Sequence, residues 1–394
     1  MGALSDIRVL DLGKYIAGPY CATLLSDFGA DVIRVERPGG GEDRYVSPVS
    51  SQGEGALFFQ VGRNKRSLTL DYTVAEGRAV LNSFIAEADV VITNMPRPAL
   101  EAMKLDYESL REVKADIITV NVSAFGDRGP WAERPGFDTV GQAMSGSIHL
   151  TGTPDQPYRA QVNWVDYSTA LHAALGVMIA LHARRATGEG QEISASLLET
   201  AISYQNPILI DQLALNSNRG GLGNRGYNTG PTDVFRVKDG WIVCHVVGNG
   251  IFRRWARLMG DEKRWTEDPR FASDLLRGQN SAHLSETMQV WCSARTRDQA
   301  LDDLAAAKVP AAPVLSPSEV LTHPQIQALE ALRAVGQTGD GVAVSASIAP
   351  VSLSASPPEI KTFAPSPGAH TEELLLRAGY SHADIERLRA NNLI

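Results

Sequence analysis

The sequence is poor in cysteine, in basic charge and in long apolar runs, and each shortage excludes a class of protein. The three cysteines, Cys21, Cys244 and Cys292, are odd in number and far apart. That spacing rules out a disulfide framework and the paired cysteines of a zinc site. Lys and Arg number 37 against 45 Asp and Glu, for a net charge of −8. Such a balance argues against a duplex nucleic-acid binder and against a polybasic membrane anchor. It leaves room for an anionic small molecule, because a local arginine cluster works on an acidic surface. No apolar run reaches the roughly 18 residues of a membrane-spanning helix. The opening "MGALSDIRVLDLGKY" lacks the basic stretch and apolar core of a secretory signal. The expectation is a cytoplasmic protein that binds neither nucleic acid nor membrane.

Familiar chemical signatures are missing as well. The first βα turn, "DLGKYIAGPY", spaces Gly13 and Gly18 five apart and follows with Pro19. That is neither the dinucleotide glycine pattern nor a P-loop. The eight histidines are scattered, and His172 and His182 stand ten residues apart with no paired-ligand spacing, so no metal site is readable. No G-x-S-x-G elbow supports a serine hydrolase.

What is present reads as a globular α/β protein. Hydrophobic residues make up 43% and charged residues 21%, as in ordinary globular domains. With 394 residues there is enough chain for two domains, since single cores stop growing at roughly 250–300 residues. Short apolar runs at 7–12, 31–36, 66–71, 89–94 and 116–122 read as buried strands. Helical patterns at 18–30, 74–87 and 98–112 separate them, which implies an open parallel sheet of Rossmann type covered on both faces. From 216 the chain turns glycine- and asparagine-rich, and "VFRVKDGWIVCHVV" then reads as a hairpin turning at Lys238–Asp239–Gly240. Helical stretches at 250–259, 281–293 and 297–307 complete a smaller α+β region. The tail is a proline-punctuated linker followed by two short helices, and Ser381 with Asp384 forms a capping-box pattern before the last.

Two features carry chemistry. Arg34, Arg37 and Arg44 surround the run Gly39–Gly40–Gly41 after a strand, where open α/β sheets bind ligands and where arginines beside free amides suit phosphate. Lys65, Arg66 and Arg97 extend the same expected basic edge. The second is Asp166, set in front of a long alanine-rich helix in "NWVDYSTALHAALGVMIALHARRATGEG". Aspartate is a favoured helix N-cap, and the helix dipole would hold its carboxylate ionised, the form needed for nucleophilic attack. Capping and reactivity are compatible readings.

Together, "VLDLGKYIAGPYCATLLSDFGADVIRVERPGGGEDR", "NKRSLTLD", "DVVITNMPRPAL", "GFDTVGQAMSGSIHLTG", the Asp166 helix and "FAPSPGAHTEELL" resemble the class III CoA-transferases over nearly the whole chain. That family also contains α-methylacyl-CoA racemases. The resemblance implies ring-shaped subunits interlocked in a homodimer. Residues 1–200 would form the large CoA-binding Rossmann-type domain and 201–224 a linker with a glycine-rich loop. Residues 225–330 would form the small α+β domain, and 331–394 a C-terminal segment returning to the large one.

Residue by residue, the family's nucleophile falls on Asp166 and its nucleotide-gripping arginine on Arg37. The segment lining the CoA site falls on Tyr15, Ile16 and Ala17. Further CoA-binding positions fall on Leu70, Asp71, Tyr72 and Thr73, and on Asn94, Met95 and Arg97. Pro135, Gly136, Phe137 and Asp138 complete the set. The loop that covers the active site resembles the stretch holding Gly220, Gly221 and Gly223. The racemase branch places a catalytic histidine where this chain has Phe137, and a glutamate near Asn249, so the sequence fits the transferase pattern. The implied activity moves CoA from an acyl-CoA donor to a free carboxylic acid through aspartyl anhydride and aspartyl-CoA thioester intermediates. Coenzyme A enters as substrate, with no tightly bound cofactor and no metal. A racemase or epimerase on the same scaffold and a non-catalytic CoA-binding protein are the alternatives.

Overall fold

The computed structural model describes residues 2–51 and 53–394. The chain forms two compact units, one from Met1–Ser145, Gln161–Leu209 and Gln327–Ile394, the other from Gly146–Ala160 and Ile210–Ile326. The first is built on six strands: β1 (Arg8–Asp11), β2 (Asp31–Glu36), β3 (Lys65–Thr69), β4 (Val90–Thr93), β5 (Ile118–Ser123) and β6 (Glu192–Ser196). They lie in the order β3-β2-β1-β4-β5-β6, and every neighbouring pair is parallel. Strand order therefore reverses between β1 and β4. The carboxyl ends of those two strands diverge there and leave a crevice, the usual ligand position of an open α/β sheet.

Alternation along the strands sends side chains to both faces. Val9, Val90 and Ile92 face one layer, where they meet helix α1 (Ala17–Asp27) and the alanine-rich helix. Leu10, Ile33 and Val91 face the other, packed on Leu81, Phe84 and the C-terminal Leu374, Leu375 and Ile385. Two short helices, Thr371–Arg377 and His382–Ala390, bring that C-terminal layer in. The capping box read at Ser381 and Asp384 is formed.

Beside α1, two further helices position the site: α2 (Asp138–Met144) and α3 (Trp164–Thr187). α3 packs against α1 and ends where Gly188 adopts a left-handed conformation, φ 76°. By length and composition α3 could cross a membrane, contrary to the expectation from sequence. Asp166, Ser168, Thr169 and His172 interrupt any continuous apolar run, but alanine, leucine and isoleucine raise the mean hydropathy of the whole. Half of that apolar window is buried in the fold, as in a core helix. The helix read over 98–112 is also corrected. It splits into Arg97–Ala102 and Tyr107–Val113, because Lys104 turns to φ 52° and Asp106 caps the second piece by accepting from Ser109 N at 3.0 Å.

The second unit carries an antiparallel sheet of β7 (Thr232–Val237), β8 (Gly240–His245) and β9 (Ala311–Pro313), with β8 central. β7 and β8 make the hairpin read from sequence. Phe235, Trp255, Phe271, Leu284 and Met288 fill its core.

Candidate active site

α3 begins in an unusual way. Asn163 stands at the N-cap but makes no side-chain capping bond, and Asp166 is the third residue of the first turn, so Asp166 is not the cap that its sequence position suggests. The free amides are taken from outside the helix. Oδ2 of Asp138, on α2, accepts from Val165 N at 2.7 Å and from Asp166 N at 3.1 Å. The Asp166 carboxyl is thereby released from capping.

It lies in the wall of a cavity of about 320 Å³ at the switch point. The loop after β1 contributes Lys14, Tyr15, Ile16 and Ala17; the loop after β4 contributes Asn94, Met95 and Pro96. Ser123 and Ala124 come from the end of β5, and Arg134, Pro135, Gly136 and Phe137 from the segment before α2. Asp166 is 9% exposed. Burial, and then the neighbouring charge of Asp138, push its carboxyl up to about 7. The sequence reading held this group ionised through the helix dipole. Burial works against that ionised form, and Asp138 takes the amides that would have favoured it.

The loop walls are held by polar clamps. Asn94 accepts from Lys14 N at 2.9 Å and donates to Lys14 O at 2.7 Å, tying the β1 and β4 loops together. Tyr15 adopts φ 62°, a left-handed conformation costly for a bulky residue. Asp43 holds it there by accepting from Tyr15 N at 3.0 Å, and Arg34 donates to both Asp43 oxygens at 2.8 Å. The Tyr15 ring meets Phe137 edge-on, centroids 5.7 Å apart.

A second hollow of about 130 Å³ opens beyond Lys14, which lines both. Arg37, Leu70, Asp71, Tyr72 and Thr73 lie in its wall. The Arg37 side chain is 69% exposed, and its Nε donates to Gly40 O at 2.9 Å.

The continuous basic edge expected from sequence does not form. Lys65 and Arg66 open β3 at the amino edge of the sheet, level with Val32 and Ile33 of β2. Lys65 is buried on Asp11 at 2.7 Å, and Arg66 pairs with Asp31 at 2.6 Å. Arg44 is buried against Glu36, its Nε 2.7 Å from the carboxylate. Although burial opposes it, Arg44 and Arg34 hold the Glu36 carboxyl down at about 2. Arg97 lines neither hollow and pairs with Glu192 at 3.1 Å and Glu101 at 3.4 Å. Asp138 also lies outside both walls, 1% exposed.

Two charged residues of the cavity wall were missed, Lys14 and Arg134. Each directly precedes a segment assigned to the site, and a charged residue beside such a segment was the available signal. Arg134 lies over the Trp131 ring at 4.1 Å and forms no ion pair with any described residue. In the second unit, Gly221 packs so closely on the Gly152–Thr153 hairpin that a Cβ would stand 2.9 Å from both carbonyl oxygens. Gly220 and Gly223 flank it, Gly223 at φ 68°.

Comparison with known proteins agrees with this arrangement. Residues 4–371 match the family model described as CoA-transferase family III. The chain is 32% identical over 395 residues to succinyl-CoA–D-citramalate CoA-transferase of Chloroflexus aurantiacus, covering 99% of this chain and 98% of that protein. It is 35% identical over 388 residues to succinate–glutarate CoA-transferase of Agrobacterium fabrum, covering 94% of each. A CAIB/BAIF family protein from Brucella suis superposes with a TM-score of 0.83 at 31% identity, over 96% of this chain and 99% of that one. The chain belongs to CoA-transferase family III and is a CoA-transferase.

Proposed function

We propose that this enzyme moves CoA between a short dicarboxylic acyl-CoA and a second carboxylic acid, with Asp166 as nucleophile. An Asp166 oxygen attacks the thioester carbonyl, the C–S bond breaks, and CoA departs as thiolate, leaving a mixed anhydride of Asp166 and the donor acid. The thiolate then attacks the aspartyl carbonyl, expelling the donor carboxylate and leaving an aspartyl-CoA thioester. An acceptor carboxylate attacks that thioester, forming a second anhydride and freeing thiolate again. Thiolate attack on the acceptor carbonyl yields the new acyl-CoA and restores the Asp166 carboxylate. One thioester replaces another, so the cycle needs no outside energy source.

The observation that carries this reading is the Asp166 carboxyl, buried in the cavity wall and freed from capping by Asp138. A desolvated carboxylate is more basic and therefore a stronger nucleophile. The acid class rests on the relatives, whose names give succinyl-CoA with citramalate, and succinate with glutarate. Arg134, with no carboxylate of its own in the same cavity, suits the far carboxylate of such acids. CoA's nucleotide end is assigned to the hollow lined by Arg37. The glycine-rich segment Gly220–Gly223 is assigned to protecting the anhydride from water. A homodimer fits the apolar side chains that α3 leaves exposed, Leu171, Leu175, Met178 and Ile179.

The racemase alternative has little to work with. Phe137 is 62% exposed but carries no exchangeable proton, and the Asn249 amide is occupied by Arg277. The test is mass spectrometry of the enzyme incubated with succinyl-CoA and no acceptor, then borohydride. A thioester reduced to alcohol on the peptide containing Asp166 is expected, and Asp166→Asn should transfer CoA at least roughly 10³-fold more slowly. An active Asn variant, or no labelled peptide, would remove Asp166 from the mechanism.

A further inference from the structure

We infer that Asp138 is the positioning residue of the nucleophile: reaching across from α2, its carboxylate both ends α3 and sets a negative charge against Asp166. This rests on Asp166 being the nucleophile, as proposed above. It also reassigns Asp138, which the family resemblance places among the CoA contacts.

The geometry is specific. The first turn of a helix leaves amides without partners, and its own N-cap residue usually satisfies them. Here Asn163 makes no side-chain capping bond, and a residue 28 positions earlier in the chain does the work through Oδ2. Oδ1 of the same carboxylate accepts from Gln142 Nε2. Asp138 is fully committed and buried, and it touches neither hollow. The approach of α2 to α3 depends on Gly141, where a Cβ would stand 2.8 Å from Val165 Cγ1 and 3.2 Å from Leu197 O. The packing of the two helices thus serves to deliver one carboxylate to the end of α3.

Two consequences follow for the chemistry. Capping from outside fixes the Asp166 backbone while leaving its side chain free to face the cavity. The charge of Asp138 opposes the ionised form of Asp166, and acylation of Asp166 removes that opposition. Ground-state repulsion is therefore relieved when the anhydride or thioester forms. Other charged or titratable groups around the site are Lys14, Tyr15 and Arg134 in the cavity wall, and Tyr20 and Arg63 beside Tyr167 on α3. Asp138 is the neighbouring charge that acts on Asp166.

The test separates charge from cap. Asp138→Asn keeps an oxygen for the two amides and removes the charge. The acid limb of its kcat/KM profile, which reports the free enzyme, should move down by about one pH unit. The rate on the alkaline plateau should fall several-fold, as expected for a less basic nucleophile, with KM for acyl-CoA unchanged. An unmoved acid limb with a raised KM for every acyl-CoA would make Asp138 a CoA ligand and overturn the inference. Asp138→Ala removes charge and cap together and should lower the Tm. If Asp138→Asn yields no folded protein, adding Asn163→Asp should restore folding by giving α3 a cap carboxylate of its own, and failure to restore it overturns the cap. Absence of label on Asp166 in the wild type would sink the nucleophile reading and with it the catalytic part of the inference, leaving only the cap, which the Tm change on Asp138→Ala tests without turnover.

Discussion

The two hollows at the carboxyl edge of the sheet share Lys14 but are built on opposite electrostatics. Around the Arg37 hollow, buried charges stand in pairs: Arg34 with Asp43, and Arg44 with Glu36. In the Asp166 cavity the buried carboxyl has another carboxylate as its charged neighbour and, among the described residues, no cation on it. Paired charges hold loops in place, as Asp43 holds Tyr15. An unpaired one stores free energy that a reaction can release. Burial alone therefore does not mark a functional residue in this protein. The sign of the neighbouring charge is what sets the proposed nucleophile apart.

That contrast is broken most forcefully from the paired side. Arg44 donates to Glu36, reaches Pro365 O at 2.9 Å and stacks over Phe58 at 3.9 Å. Arg44→Met should destabilise the fold by roughly 3–5 kcal/mol, since it leaves a buried carboxylate without its principal partner. Denaturant titration at pH 7 checks this, and a change under 1 kcal/mol would mean that the pair contributes no architecture.

On the unpaired side the effect should have the opposite sign. The Asp166 carboxyl lies above its unfolded value of 3.8, at about 7. The folded state therefore holds this proton more tightly than the unfolded chain. The stability it contributes is complete below about pH 4 and is lost as pH rises through 7, by at most roughly 4 kcal/mol. Asp166→Asn carries no such proton. Relative to wild type it should gain stability as pH rises from 5 to 8, although it should lose activity. Parallel stability curves for the two proteins would show that Asp166 ionises without penalty and would end the contrast.

Much of this was legible in the sequence, and the remainder has a common cause. Strands and most helices followed from apolar periodicity, because each is decided by neighbours in the chain. Tyr15, Asn94, Pro135 and Asp166 stand apart in sequence but were all assigned to one site through the family resemblance, and they do line one cavity. What failed was the partner of each charge. Asp166 looked like a cap because the real cap, Asp138, comes from another helix. Lys65 looked available to a ligand, yet Asp11, 54 positions away, takes it. Local pattern shows that a side chain is charged, but only tertiary packing shows what neutralises it.

The smallest expected effect concerns the two arginines that packing leaves without a close buried partner. Arg134 lies in the Asp166 cavity and Arg37 in the neighbouring hollow, 3.9 Å from the half-exposed Glu42. If Arg134 reads the far carboxylate of a dicarboxylic acyl group, Arg134→Gln should lower kcat/KM for succinyl-CoA by roughly 10-fold, about 1.5 kcal/mol for one exposed charge-assisted hydrogen bond. Butyryl-CoA has the same chain length and no second carboxylate, so its kcat/KM should be unchanged. Arg37→Ala should behave differently. If Arg37 grips the nucleotide, the loss falls on both thioesters equally, because both carry the same CoA. The ratio of the two kcat/KM values is the measurement: it should collapse in the first variant and hold in the second. Equal losses for both thioesters in Arg134→Gln would move that residue to the CoA side and leave the acyl pocket without a carboxylate reader.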